Sequence, residues 1–351
     1  MRLFCLAFAA LIGLAQQTPT SGPYKVLRTA KVGGAGGFDY VYADTAGRRL
    51  YIARGGMQGT PPVPGRVTVF DLDTLEPVGE IPNASARGAA LDSKSGHGFA
   101  SSKPVVMWDT KTLATIKTID VEGGPDGILS DPFNHRVYVF SHRAPNATVI
   151  NAADGSVAGT IDLGGAPEQA ATDDKGHVYV DIEDKANVAV IDAKTMTVTA
   201  HYDVGDKGGT PAGLAFDVKN HVLFVACRTP APGVMVMLNS ENGKIIATLP
   251  LAGGSDGAVY NPATKEAFSS AGNGTLTVIK EDSPDSFVVE QIVQTMQSAK
   301  TLTLDSKTNH VLLIGAEYGP PATPAPAPGA GGRPGRGPMV ADSFSVLVVG
   351  K

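Results

Sequence analysis

The chain has 351 residues, a formal charge of −5 and 42% hydrophobic residues, enough apolar material to bury a sizeable core. Its mild acidity excludes the basic footprint of a nucleic-acid binder. With 42 glycines and 25 prolines, the composition excludes a fold of long helices and favours many short strands joined by turns.

The first segment, "MRLFCLAFAALIGLAQQTP", has one cation (Arg2), an apolar run from Leu3 to Leu14 and small residues before Gln16. This pattern predicts a secretory signal peptide over residues 1–15, cut after Ala15, with a run too short to anchor in a bilayer. A periplasmic or secreted protein is expected, with no transmembrane segment in its mature chain. Cys5 would leave with the leader, so Cys227 is the lone thiol and no intrachain disulfide can form. After a flexible stretch to about residue 22, "YKVLRTAKV" from Tyr24 is an alternating strand with no neighbouring partner in sequence. The glycine-rich "GGAGG" from Gly33 has no strand–turn–helix context and is not a dinucleotide loop.

From there the chain repeats itself. An Asp or Asn recurs at Asp44, Asp92, Asp131, Asp173, Asp217, Asn261 and Asp305, mostly 42 to 44 residues apart. A strand-like stretch follows each: "LYIA" at 50, "GFAS" at 98, "VYVF" at 137, "VYVD" at 178, "LFVA" at 223, "AFSS" at 267 and "LLIG" at 312. A second strand, such as "VTVFD" from Val67 or "VAVID" from Val188, and a third, such as "TIKTIDV" from Thr115, complete each unit. Four short strands per period of roughly 40–45 residues mark a β-propeller blade. The expectation is an all-β, seven-bladed propeller spanning residues 23–351. Its ring should close where the N-terminal strand pairs beside Phe344–Val349 in the last blade, removing two free sheet edges.

The repeats assign most histidines to the scaffold. His135, His177 and His221 fall four residues after their anchors, and His97 and His310 five, so copies one blade apart cannot converge on a metal. Five residues before each anchor stand Asp39, Arg87, Asp126, Glu168, Ala212, Asp256 and Lys300. This position leads into the innermost strand and should ring the mouth of the central channel. Asp39, Arg87, Asp126, Glu168, Asp256 and Lys300 are therefore the candidate ligand-binding rim. Asp39, Asp126, Glu168 and Asp256 are the candidate ligands for a divalent cation, Ca²⁺ for instance, since hard cations take oxygen donors. Crowded carboxylates also suit acid–base work.

Loops after the second strand lie on the same face and carry Arg54, Lys103, His142, Arg143, Glu183, Asp184, Arg228 and Glu317. His142 is the histidine outside the repeat turn that reaches this face, and with Asp126 it is the candidate for proton transfer near neutral pH. "GGSDG" at Gly253–Gly257 matches a nucleophile-elbow pattern but lacks the strand and helix that aim such a serine. Residues 319–341, rich in Pro and Gly, read as a disordered insertion in the last blade.

"P-x-G-(I/L)" before the first strand, "VYV" within the second and "VIDAKT" after the third resemble the YVTN-repeat β-propeller family, including YncE-like proteins. The resemblance covers essentially the whole mature chain and implies a propeller of bacterial export whose members bind varied ligands and sometimes catalyse. Blades two and six keep the pattern weakly. A WD40 assignment would rest on Gly96-His97 and Trp108-Asp109, which sit too close together and have no copies in other repeats. The expected function is a monomeric binding or interaction scaffold, taking a small molecule or an envelope protein at a polar top-face funnel. A metal-dependent lactonase- or lyase-like propeller enzyme and a structural cell-envelope protein are the rival readings.

Overall fold

The computed structural model describes residues 17–58, 61–321 and 337–351. The expected leader at 1–15 and most of the Pro/Gly-rich insertion lie outside the described residues. Among those described, twenty-eight strands form seven four-stranded antiparallel sheets. Only two short 3₁₀ turns, Glu183–Lys185 and Gly205–Lys207, interrupt them, and among the described residues no helix is long and apolar enough to cross a membrane. The molecule is a seven-bladed β-propeller.

In six blades the strands run outward in chain order, and each innermost strand ends at or beside its Asp or Asn anchor. These side chains cap the turns that follow. Asp44 accepts from the Gly47 amide at 2.8 Å, Asp92 from Ser95 at 2.7 Å, Asp173 from Lys175 at 2.7 Å and Asn261 from Ala263 at 3.0 Å. A short acceptor at this point satisfies turn amides that no strand can reach, which is why the repeat keeps Asp or Asn there. The histidines of the same turn serve the scaffold. His135 Nδ1 lies 2.9 Å from Asp92 of the preceding blade, and His177 Nδ1 lies 2.7 Å from Asp173.

Blade seven closes as expected. Strand Lys25–Lys31 pairs antiparallel with Ser345–Gly350, from Lys25 opposite Gly350 to Lys31 opposite Ser345. Tyr24 then packs edge-on against Phe268 of blade six, its hydroxyl donating to Glu266, which also accepts from Lys351 Nζ at 2.8 Å. Tyr24 and the C-terminal Lys351 are thus tied to blade six as well as to blade seven. The junction of blades seven and one carries a bidentate pair, Arg48 to Asp305, with both contacts at 2.8 Å.

Apolar side chains sort into seven clusters, one in each seam between adjacent blades. Each large, fully buried residue contributes roughly 1.5–3 kcal/mol. The weak repeat of blade two has a packing cause: Gly98 lies opposite Trp108, and a Cβ there would run into the buried indole. In blade six the small residues of "AFSS" make polar contacts instead. Ser269 bonds Ser255 at 2.8 Å, and Ser270 bonds the Lys300 carbonyl at 2.7 Å.

Candidate functional site

The pairing of innermost and second strands slips at the top of five blades, between Phe38 and Val41, Pro125 and Ile128, Pro167 and Ala170, Pro211 and Gly213, and Ser255 and Gly257. Asp39, Asp126, Glu168 and Asp256 stand inside these irregularities, while Arg87 and Lys300 lie just ahead of the inner strands of blades two and seven. A bulge sets two residues against one and re-aims a side chain, so the rim turns into the channel rather than alternating about the sheet. Gly127 lets the blades meet there, since a Cβ on it would come within 2.5 Å of the Glu168 carbonyl. Hydroxyls of adjoining residues hold the rim carbonyls: Ser101 donates to Asp126, and Thr301 to Asp39.

All six predicted rim residues line one polar funnel of about 770 Å³, together with Tyr40, His142, Arg143, Glu183 and Arg228. The charges are interleaved. Lys300 Nζ donates to Asp39 at 3.0 Å and also to Asp256. Arg87 reaches the other oxygen of Asp39 at 2.8 Å. Arg228 spans Asp256 and Glu183 with its two terminal nitrogens, while its Nε holds the Ser255 carbonyl at 3.0 Å. Burial opposes the charge of Asp256, but Lys300 and Arg228 outweigh it and hold that carboxyl below its ordinary value. The same pairs raise Lys300 above the usual lysine value despite its burial.

The other side of the funnel is differently tuned. Burial first, then the charge of Glu183, pushes Glu168 up to about 8, with Arg228 pulling the other way. Burial and Asp39 also raise Asp126, and no hydrogen bond joins the Asp126 carboxylate to another described side chain. Tyr40 donates to Glu168 Oε2 at 3.2 Å. His142 stands between two acids, Nδ1 at 3.8 Å from Glu168 Oε1 and Nε2 at 3.6 Å from Glu183 Oε2. Beside Glu168, Asp181 is fully buried with both carboxylate oxygens unpartnered among the described residues, and burial drives its pKa well up.

The structure thus separates the four carboxylates expected to share a cation. Asp39 and Asp256 are engaged by Lys300, Arg87 and Arg228, whereas Glu168 groups with His142 and Glu183. The pairing of His142 with Asp126 is electrostatic only, the closer acids to the imidazole being Glu168 and Glu183. Not every expected top-face residue reaches the funnel. Arg54 is 1% exposed, its guanidinium 3.8 Å above the Phe344 ring, and it pins the Gly34 carbonyl at 2.7 Å. Lys103 holds the Gly123 carbonyl, Asp184 caps the Ala166 amide at 2.7 Å, and Glu317 lies 3.7 Å from Lys31. Ser255 of "GGSDG" opens an inner strand, buried and bonded to Ser269, with no helix behind it.

Two channel residues escaped the sequence reading, Tyr40 and Gln169. Gln169 extends from blade four, donating to the Ala258 carbonyl at 2.9 Å and accepting from the Leu214 and Ala258 amides at 3.1 and 2.9 Å. Below it a second space of about 410 Å³ is lined by the inner strands, and Tyr40 and Glu168 wall both chambers.

No family model and no curated protein matches the sequence. Solved structures match the fold. A structure of U3-55K aligns with a TM-score of 0.70 at 12% identity, covering 94% of this chain and 99% of that one. The WD40 repeats of RRP9 align with a TM-score of 0.69 at 13% identity, covering 95% and 99%. A chain of a mitotic checkpoint complex gives 0.68 at 11%, covering 89% and 96%. The likeness is one of fold. Identity this low carries the architecture and leaves function to the site.

Proposed function

We propose that this protein is an exported binding scaffold of the YVTN-repeat kind, which takes a polar ligand in the top-face funnel. The carrying observation is the convergence of Asp39, Asp126, Glu168, Glu183 and Asp256 with Arg87, Arg143, Arg228 and Lys300 around one mouth of about 770 Å³. Such alternation of charge suits a small molecule bearing both donors and anionic oxygens, or a charged loop of an envelope protein, more than an apolar ligand. Preformed pairs such as Lys300 with Asp39 hold the donors in place before a ligand arrives, which lowers the ordering cost of binding. The leader read at residues 1–15 supports export, and the likeness to WD40-like propellers supports a binding role.

The test is a thermal-shift screen of the mature chain against polar metabolites, with capture from an envelope extract in parallel. Ligands that bind the native state raise its melting temperature by mass action. Stabilisation or capture lost in Arg87→Ala and Asp126→Ala supports the reading. Failure of every small molecule and every captured protein to respond to these substitutions overturns it.

A further inference from the structure

We infer that His142, Glu168 and Glu183 form a binding site for a divalent transition ion of the Zn²⁺ class on the funnel wall, whose open positions face the ligand space. This inference rests on the proposed use of the funnel as a ligand site and names how one wall of it would work. One donor atom from each residue lies within 4.8 Å of the other two, and all three side chains are half-buried. Bonds of 2.0–2.1 Å in a tetrahedral shell set donors roughly 3.3 Å apart, so small side-chain rotations would close the set.

The surroundings hold these donors as a second shell does. Glu183 turns one oxygen to Arg228 and leaves the other 3.6 Å from His142 Nε2. Glu168 gives one oxygen to the Tyr40 hydroxyl and keeps the other toward His142. The imidazole's Nδ1 lies 3.4 Å from the Pro167 carbonyl, a contact that favours the tautomer with Nε2 free to bind metal. Ligating histidines are ordinarily oriented through their second nitrogen in this way.

An independent observation comes from Asp181. It is fully buried, both its oxygens lack partners among the described residues, and it lies within electrostatic reach of Glu168. It lies one residue from the end of strand His177–Ile182, and Glu183 opens the 3₁₀ turn that follows. An orphaned buried acid behind two further acids is an arrangement that a divalent charge relieves.

The donor chemistry discriminates between ions. Ca²⁺ and Mg²⁺ favour shells of oxygen, six or more for Ca²⁺, whereas imidazole nitrogen with carboxylates suits Zn²⁺ and its neighbours. Two glutamates and a neutral histidine would balance the ion's charge. Three protein ligands leave a position for water or for an anionic oxygen of the funnel ligand, with Arg143 on the same wall.

Calorimetric titration of the mature, metal-stripped chain with Zn²⁺, Co²⁺, Ca²⁺ and Mg²⁺ tests this directly. One Zn²⁺ should bind per chain, at least about a hundredfold more tightly than Ca²⁺ or Mg²⁺. Co²⁺ should show visible d–d bands of a low-coordinate nitrogen–oxygen site. His142→Ala and Glu183→Gln should weaken Zn²⁺ by roughly a hundredfold or more, Tyr40→Phe by about tenfold, and His177→Ala not at all. Circular dichroism and melting of each apo variant separate lost binding from lost folding. Zn²⁺ binding unmoved by His142→Ala, or a preference for Ca²⁺, overturns the inference. Repeating the ligand screen in EDTA keeps the two readings apart. A ligand held by Arg87 and Asp126 in EDTA, together with Zn²⁺ binding unmoved by His142→Ala, leaves the scaffold standing while this site falls.

Discussion

The bidentate pair between Arg48 and Asp305 stitches the first blade to the last, and replacing Arg48 with Met tests how much that junction contributes. Asp305 is only 3% exposed at its side chain. Burial works against its charge, but Arg48, the Thr308 hydroxyl and the Lys307 amide outweigh burial and bring its pKa from 3.8 down to about 2. That depression corresponds to roughly 2 kcal/mol of stability at pH 7. The second partner of Arg48, Asp73, stands in solvent, which screens that contact and leaves it a minor contributor. Removing one member of a buried pair also strands the other, so Arg48→Met should cost about 2–4 kcal/mol.

The folded pKa is depressed, so this stability is present above pH 4 and is lost as pH falls toward 2. The gap between wild type and variant should therefore shrink by about 1 kcal/mol between pH 7 and pH 3. Urea unfolding at pH 7, 4 and 3, followed by the fluorescence of the single tryptophan, Trp108, measures both quantities. A gap below about 0.5 kcal/mol at pH 7, or one that stays constant down to pH 3, would refute the account of this junction.

Three further expectations concern the scaffold and the rim. Deleting residues 24–32 removes the closing strand together with the Tyr24 contacts to Phe268 and Glu266, and should replace one cooperative urea transition by a broad, early one. An unchanged midpoint after that deletion counts against closure by this strand. Gly98→Val drives two methyl groups into the Trp108 indole and should cost about 1–3 kcal/mol with a changed emission spectrum, read by fluorescence and thermal melting. Lys300→Met leaves Asp39 and Asp256 facing one another without their shared cation; a loss of about 3–5 kcal/mol in urea unfolding is expected at pH 7.

The rim was legible in the sequence because one short-range event fixes its register. Each anchor, from Asp44 to Asp305, caps the turn at the end of its inner strand, so counting back five residues reaches the channel mouth in six of the seven blades, Ala212 of blade five being buried. Tyr40 and Gln169 were missed because strict alternation sends the residue after the rim to the opposite face. The bulges at Phe38/Val41 and Pro167/Ala170 suspend that rule and give two successive residues to the channel. Asp181 was hidden for the opposite reason. In "VYVD" it reads as the polar close of a strand, and nothing local shows that its carboxylate is sealed from water. Partner choice was equally out of reach. That Arg228 joins Asp256 to Glu183, while His142 falls to Glu168 and Glu183, depends on loops brought together from four blades.

The single amide of Gln169 makes three hydrogen bonds across the inner strands of blades five and six. That tie locks the inner strands of blades four, five and six to one another beside the charged mouth. A guest in the charged mouth therefore sits against a wall that is already set, and the two chambers share Tyr40 and Glu168. A protein docked over that mouth would act as a stopper, slowing the exchange of a small guest beneath it while touching none of its contacts.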